Sequence, residues 1–295
     1  MSGIAASLPL FAVAAAQYPI GFLERWGDFR DKVTQWVEDA VREGARLLVF
    51  PEYFSIEITS TFGEEIYRSL PLQLERLQRT LADFLALFRE LAQTHHVYIC
   101  AGSYPVAEDG RYYNRAYFFW PNGHCDFQEK LQMTRFENEQ WHVSGGRGLK
   151  VFATEFGRLA INVCYDSEFP LFARHQVEEG ADLILVPSCT DTLAGFHRVK
   201  IGCQARALEN QCYVVQSPTV GDCAWSEAVD TNVGLAAVYT PVDRGFPANG
   251  VLAAGKLNQP QWVYAELDLG LIARVRNEGQ VFNHRDWAGQ YAHVR

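Results

Sequence analysis

No two cysteines in this 295-residue chain are spaced Cys-x-x-Cys, and their number is odd. Positions 100, 125, 164, 189, 203, 212 and 223 therefore suit neither a disulfide framework nor a zinc site. Such a set of thiols fits a reducing compartment, and a cytoplasmic location is expected. HExxH and HxH spacings are missing, as are a GxSxG serine elbow and a phosphate-binding P-loop, so metal-dependent amidohydrolysis, serine hydrolysis and nucleotide hydrolysis each lose their usual signature. Neither a metal nor a cofactor is expected. Clustered Lys and Arg are also wanting: the net charge is -9, which offers no phosphate-binding footprint and argues against a nucleic-acid partner. No apolar run approaches the roughly 18 residues that span a bilayer. The stretch Leu8 to Ala16 is apolar and ends in small residues, as a signal peptide would, but no Lys or Arg precedes it and Pro9 interrupts it, so it reads as a first strand. Low-complexity segments, linker-like shifts of composition and repeats of 20 to 50 residues are absent too, which makes one domain over residues 1–295 the economical expectation.

What is present is the composition of an ordinary globular protein, 48% hydrophobic and 21% charged. A chain of this length can bury about three quarters of its unfolded surface. After a strand at Phe11 to Tyr18, the residues Val33, Trp36, Val37, Ala40 and Val41 recur at helical spacing and Gly44 stops them. Leu47 to Phe50 is a short apolar run closed by Pro51, as in a strand buried on both faces, and Glu52 follows at once. Leucines and phenylalanines from Leu70 to Leu91, at intervals of three and four, predict one long amphipathic helix. Strands are expected at Val97 to Tyr104, Tyr113 to Trp120 and Gly123 to Gln128, the last pair turning through Pro121-Asn122-Gly123 and delivering Lys130. A second hairpin, from Val151 through Gly157 to Val163, delivers Cys164. Helices at Pro170 to Glu179 and Phe196 to Glu209 alternate with strands at Leu183 to Val186, Cys212 to Gln216, Gly234 to Tyr239 and Trp262 to Leu267. Residues 241–260 read as loop, and the end of the chain shows no clear period. Buried strands alternating with helices, with hairpins between, imply a mixed α/β protein in which ligands gather at the carboxyl ends of strands.

Glu52, Lys130 and Cys164 each stand just beyond a predicted strand, so one sheet architecture can bring all three to a single cleft. A cysteine attacks a carbonyl or nitrile carbon as its thiolate, and so needs a base or a cation beside it. Glu52 can be that base and Lys130 that cation. Taken singly, each also has a plain structural explanation: a small buried hydrophobe, a helix cap or solvated loop residue, and a surface lysine.

The stretches around them resemble the nitrilase superfamily of carbon-nitrogen hydrolases. Phe50-Pro51-Glu52-Tyr53 is similar to its glutamate segment, Glu129-Lys130-Leu131 to its lysine segment and Asn162-Val163-Cys164-Tyr165-Asp166 to its nucleophile segment, in the same order. Val13 to Gln17, Gly180 to Ser188 and Arg206 to Asn210 resemble flanking family segments, and the likeness runs from about Val13 to Leu267. It implies a four-layer αββα sandwich and a homodimer or higher homo-oligomer paired through the helices after the nucleophile. The terminal segment, about 268–295, would reach over a partner subunit. It also implies a second glutamate after the lysine; Glu137 fits through Thr134-Arg135-Phe136-Glu137 with Trp141 and Gly145 downstream, and Glu139 is the competitor. Tyr165-Asp166 after the cysteine, where nitrilases proper tend to carry Trp-Glu, resembles the amidase branches. The expected reaction is hydrolysis of a small amide or N-carbamoyl compound through a cysteine thioester. The alternatives are nitrile hydrolysis and a catalytically silent binding protein of the same fold. Tyr53, Trp141, Tyr165, Glu168, Thr190 and Phe196 are the expected pocket residues. Glu168 or Asp191 in that pocket would suit an amine-bearing substrate, and His197 or Arg198 a carboxylate. Cys189, after Pro187-Ser188, is the remaining cysteine whose closeness to the site matters.

Overall fold

The computed structural model describes residues 10–294. Leu8 and Pro9 of the proposed first strand lie outside the described residues. From residue 11 onward that strand forms as Phe11–Pro19. Its side chains alternate strictly between two cores. Phe11, Val13 and Ala15 point into one apolar cluster, while Ala14, Ala16 and Tyr18 point into the other. Leu47 and Val49 are likewise divided from Leu48 and Phe50 in the neighbouring parallel strand, Ala45–Phe50. Burial on both faces is why these stretches read as unbroken apolar runs.

Two mixed sheets are stacked face to face. The first runs in the order Cys125–Glu129, Arg111–Phe119, Tyr98–Glu108, Ala45–Phe50, Phe11–Pro19 and Gln261–Leu267. The second runs Val151–Ala153, Arg158–Ile161, Leu183–Ser188, Tyr213–Asp222, Ala237–Tyr239 and Val251–Ala254. They touch edgewise only where Tyr18 pairs with Thr219 and Pro19 with Val220. Helices Trp26–Arg42 and Leu81–His95 cover the outer face of the first sheet through Phe29, Val33, Val37, Phe84 and Phe88. Helices Pro170–Glu178 and Leu193–Asn210 cover the second through Ala173, Val177, Val199, Cys203 and Ala207. This is the four-layer αββα sandwich. Between its inner faces, Ser217 donates to the carbonyl oxygens of Ala16, at 2.7 Å, and Val49, at 2.9 Å, fastening the sheets together close to their carboxyl ends.

Three sequence expectations need correction. The long helix over Leu70 to Leu91 is two helices, Leu70–Leu77 and Leu81–His95. The break comes from side chains competing for the backbone. The Leu77 carbonyl accepts from the Tyr104 hydroxyl at 2.6 Å and the Thr80 hydroxyl at 3.1 Å, and Gln78 accepts from the Ala107 amide at 2.8 Å and donates to the Pro105 carbonyl at 3.0 Å. The region read as loop contains the strand Val251–Ala254. The terminal stretch holds a helix, Leu269–Glu278, capped by the Asp268 carboxylate on the Leu271 amide. Its apolar stripe is one residue per turn, Leu269, Ile272 and Val275, too thin to stand out among Arg274, Arg276 and Asn277.

One close approach sets the shape of the first sheet's end. Gly102, at φ +58°, lies where a side chain would collide with the Pro51 carbonyl oxygen and, at 2.8 Å, with the Phe54 ring. Gly63, at φ +93°, faces open space. Gly63, with ψ 165°, is in a region of backbone space that is essentially glycine-only, so Gly63→Ala should cost that backbone penalty alone, about 1–3 kcal/mol. Gly102→Ala should cost clearly more, because the backbone carrying Glu52 must move. Urea unfolding midpoints of the two variants test this, and equal losses would show that the carbonyl contact is not limiting.

Candidate active site

The chain leaves the strand Ala45–Phe50 through Pro51 and turns sharply, with Tyr53 in the left-handed region at φ 54° and its amide held by the Ser103 hydroxyl at 3.0 Å. That turn drives the Glu52 side chain inward, where it is 1% exposed. Lys130 follows the strand Cys125–Glu129, its amide still bonded to the Asn114 carbonyl at 2.9 Å, so that its side chain and that of Asn114 leave the sheet together. Both donate to Glu52 Oε1, each at 2.9 Å. The other oxygen, Oε2, accepts from the Cys189 backbone amide at 3.0 Å. Glu52 thus has its position fixed from three directions.

Lys130 Nζ also donates to Glu137 Oε2 at 2.6 Å. Thr134 and Glu137 form a capping box at the start of the short helix Arg135–Glu139, with Oε2 accepting from both the amide and the hydroxyl of Thr134. Tyr53 donates its hydroxyl to Oε1 at 2.8 Å, and its ring packs 4.8 Å from that of Trp141. Glu139 takes no part: it is exposed and pairs with Arg135. Burial opposes the Lys130 charge, but Glu137 and Glu52 outweigh it and hold the ammonium well above its usual range. Burial likewise works against the Glu137 charge, yet Lys130 and the surrounding donors bring that carboxyl below its ordinary value. For Glu52 burial prevails over Lys130, so its carboxyl titrates higher than an ordinary glutamate.

Cys164 begins a tight turn, Cys164–Glu168, with φ at 49°, a strained conformation for a residue other than glycine. Side chains and close packing hold it there. Ser167 donates to the Cys164 carbonyl at 2.6 Å, Arg206 donates to the Ser167 carbonyl at 3.2 Å, and Gly202 lets the helix Leu193–Asn210 lie against that same carbonyl. The thiol lies 3.7 Å from the Cys189 carbonyl oxygen. Burial and the Glu52 charge push the thiol well above its usual pKa, with Lys130 opposing, so it rests protonated beside a carboxylate. As the second residue of its turn, Tyr165 has an amide with no partner within the turn.

These groups line one cavity of about 580 Å³. Glu52, Lys130, Glu137 and Cys164 are in its wall, as are Tyr53, Trp141, Tyr165, Glu168 and Thr190. Phe196 is not; it is buried on its own helix against His197, which does not line the cavity either. Both Asp191 and Arg198 do, the latter 3.5 Å from Glu168. Among the described residues no three His, Cys, Asp or Glu side chains are grouped as metal ligands.

Two contributors escape sequence reading. Asn114 is a buried amide in the middle of a strand, and its polarity amid Tyr112, Tyr113, Tyr117 and Phe118 is the one local signal of it. Asp166 lies within the nucleophile segment but acts across the cleft: it accepts from the Leu131 amide at 3.0 Å and the Gln132 amide at 2.8 Å, tying the turn that carries Cys164 to the chain just after Lys130. Burial raises its carboxyl to about 7. The folded protein therefore holds that proton more tightly than the unfolded chain. The resulting stabilisation is complete below about pH 4 and is lost as pH rises to about 7. Relative to Asp166→Asn, the wild type should be most stable near pH 4 and lose that advantage by pH 8 in urea titrations. Parallel curves would mean that Asp166 does not titrate in this range.

Comparison with known proteins agrees with this architecture. A family model described as carbon-nitrogen hydrolase matches residues 12–277. A probable hydrolase YhcX of Bacillus subtilis is 34% identical over 283 residues, 96% of this chain, although the chain spans only about half, 55%, of that relative's length. A deaminated glutathione amidase of Synechocystis is 28% identical over 263 residues, covering 84% of this chain and 89% of the relative. In fold the chain is similar to Saccharomyces cerevisiae Nit3, a nitrilase-superfamily member, at TM-score 0.74 and 21% identity over 93% of this chain and 95% of the other. It is also similar to a glutamate-to-glutamine mutant of an amidase of Nesterenkonia sp. AN1 that shows covalent addition of the acetamide moiety of fluoroacetamide at its active-site cysteine, at TM-score 0.70 and 22% identity, with 97% of this chain and 100% of the other covered. With the family model spanning most of its length, this chain belongs to the carbon-nitrogen hydrolase family.

Proposed function

We propose that the protein hydrolyses a small linear amide or N-carbamoyl compound through a thioester on Cys164, with Glu52 as proton carrier and Lys130 as electrophilic support. The observation that carries this reading is the isolation of one protonated thiol beside one carboxylate whose other contacts are all donors: Lys130, Asn114 and the Cys189 amide. A carboxylate so held has a single task left, to take the thiol proton as Sγ bonds to the substrate carbon. The carbonyl electron pair moves onto oxygen, where Lys130 and the Tyr165 amide can meet the charge. When the carbon-nitrogen bond breaks, Glu52 returns the proton to the departing nitrogen. A water then attacks the thioester, again giving its proton to Glu52, and the acid leaves as Sγ regains a proton. Glu137 and Tyr53 position Lys130, and Trp141, Tyr165, Glu168 and Thr190 shape the substrate's place. An amide is favoured over a nitrile by Tyr165-Asp166 after the nucleophile and by the amidases among the relatives. We further propose a cytoplasmic homodimer. Leu171 and Ile201, each 64% exposed, and Leu208 stand on the outer faces of the two neighbouring helices that follow the nucleophile. Apolar side chains gathered there suit a partner subunit.

Wild-type protein should release ammonia from short amides and take up a stable adduct from fluoroacetamide, read by intact mass. Cys164→Ala should lose both, and Glu52→Gln should lose at least about 10²-fold in kcat/KM. If Cys164→Ala turned over substrate like wild type, the nucleophile assignment would be wrong. If wild type neither released ammonia nor took an adduct, a silent binding protein would be the better reading. Because Glu52 must be ionised to accept the proton and burial raises its pKa, kcat/KM should rise with pH through a limb above the ordinary carboxylate value of 4.5. A limb at or below that value would contradict the assignment. Ile201→Asp should convert the assembly to monomers in sizing chromatography with light scattering; an unchanged mass would place any interface elsewhere.

A further inference from the structure

The cavity that holds Cys164 extends beyond the reacting groups. Part of its wall is Asp191 and the segment 227–231, where Glu227, Asp230 and Thr231 also line a second cavity of about 700 Å³ together with Asp222, Trp225 and Arg68. Glu227, Asp230 and Thr231 are thus common to both walls, and two carboxylates bound the Cys164 cavity on that side.

Charge pairing along this wall is one-sided. Each guanidinium has a carboxylate of its own: Arg135 is bound by both oxygens of Glu139 at 2.9 Å, Arg198 lies 3.5 Å from Glu168 and Arg68 lies 3.4 Å from Glu64. Among the described residues, Asp191, Asp222, Glu227 and Asp230 have no basic partner within salt-bridge distance. A substrate carboxylate would meet uncompensated negative charge here, and an ammonium would meet no competing cation: among the described residues the donor already on these carboxylates is the Thr231 amide, 2.7 Å from Asp230 Oδ1. An aromatic surface adds to this independently. Trp225, in the wall of the second cavity, is held edge-on by Phe22 at 5.7 Å and Tyr67 at 5.9 Å. An indole beside carboxylates is the combination that takes alkylammonium groups, through cation–π attraction and ion pairing.

We infer that the substrate is a linear amide or N-carbamoyl compound whose non-reacting end is a protonated amine, seated against Glu227, Asp230 and Trp225. This inference rests on the hydrolase reading above. It assigns Arg198 to holding Glu168 in place and not to binding a substrate carboxylate.

Three amides of matched length test it on the full chain: 5-aminopentanamide, pentanamide and the monoamide of glutaric acid, which differ in terminal charge. The cationic amide should exceed the neutral one by about tenfold or more in kcat/KM, with the anionic amide slowest. The preference should shrink as NaCl rises from 20 to 500 mM. In Glu227→Gln/Asp230→Asn the cationic-to-neutral ratio should fall towards one. A neutral or anionic amide hydrolysed equally well or better would overturn the inference while leaving the hydrolase reading intact. If none of the three is turned over, protection of Cys164 from fluoroacetamide is compared instead: stronger protection by the cationic amide supports the inference, and equal or weaker protection overturns it. Failure of fluoroacetamide to modify Cys164 at all would remove the hydrolase reading itself, and this inference with it.

Discussion

Lys130 places one positive charge between two carboxylates, Glu52 and Glu137, in a space from which bulk water is excluded. Removing three charged groups from water costs several kcal/mol each, and the Coulomb attraction recovers it only where the remaining lone pairs find donors. Here they do, through Asn114, the Cys189 amide, Thr134 and Tyr53. Burial, joined by the net negative charge of this group, keeps the neighbouring thiol protonated at rest. In the proposed reaction a thiol in such a field cannot depend on a standing thiolate, and needs a base that moves its proton at the moment of attack. The proposed chemistry thus follows from the burial and the sign of one charged cluster.

The two sheets exist in the right relation for this cluster to form. Glu52 and Lys130 leave the first sheet, and Cys164 and Cys189 leave the second, so each half alone holds an incomplete site. Ser217, reaching across to Ala16 and Val49, and the short pairing of Tyr18 with Thr219 keep the two exits in register. Gly102 admits the Pro51 carbonyl on one side, and Gly202 admits the nucleophile turn on the other. Asp166 adds a direct tie from that turn to the chain beyond Lys130.

Much of this was legible beforehand, because strand-end residues announce themselves. Apolar runs that stop at Pro51 and at Val163 mark where Glu52 and Cys164 emerge, the hairpin turning through Pro121-Asn122-Gly123 marks where Lys130 does, and family resemblance links segments that lie more than a hundred residues apart. Asn114 and the segment 227–231 were not legible. Their roles come from cross-strand register and from which loop folds over which cleft, and neither leaves a local pattern. The divided helix after Leu70 shows the same limit. Its periodicity is continuous, and what interrupts it is the Thr80 hydroxyl together with the Tyr104 hydroxyl and the Gln78 side chain, the last two acting through a strand nearly thirty residues away. The thin stripe of Leu269, Ile272 and Val275 hid a helix for the opposite reason, too little periodic signal for a real element.

Cys189 touches both the proposed base and the proposed nucleophile, yet it does so with its main chain: the amide holds Glu52 and the carbonyl lies against the Cys164 thiol. Peptide groups are the same for every residue except proline. The Cys189 side chain instead meets the Asn232 amide oxygen at 3.3 Å and lines the cavity, so a substitution there alters the wall and leaves both peptide contacts in place. A site anchored in this way separates the evolution of what it binds from the evolution of what it does.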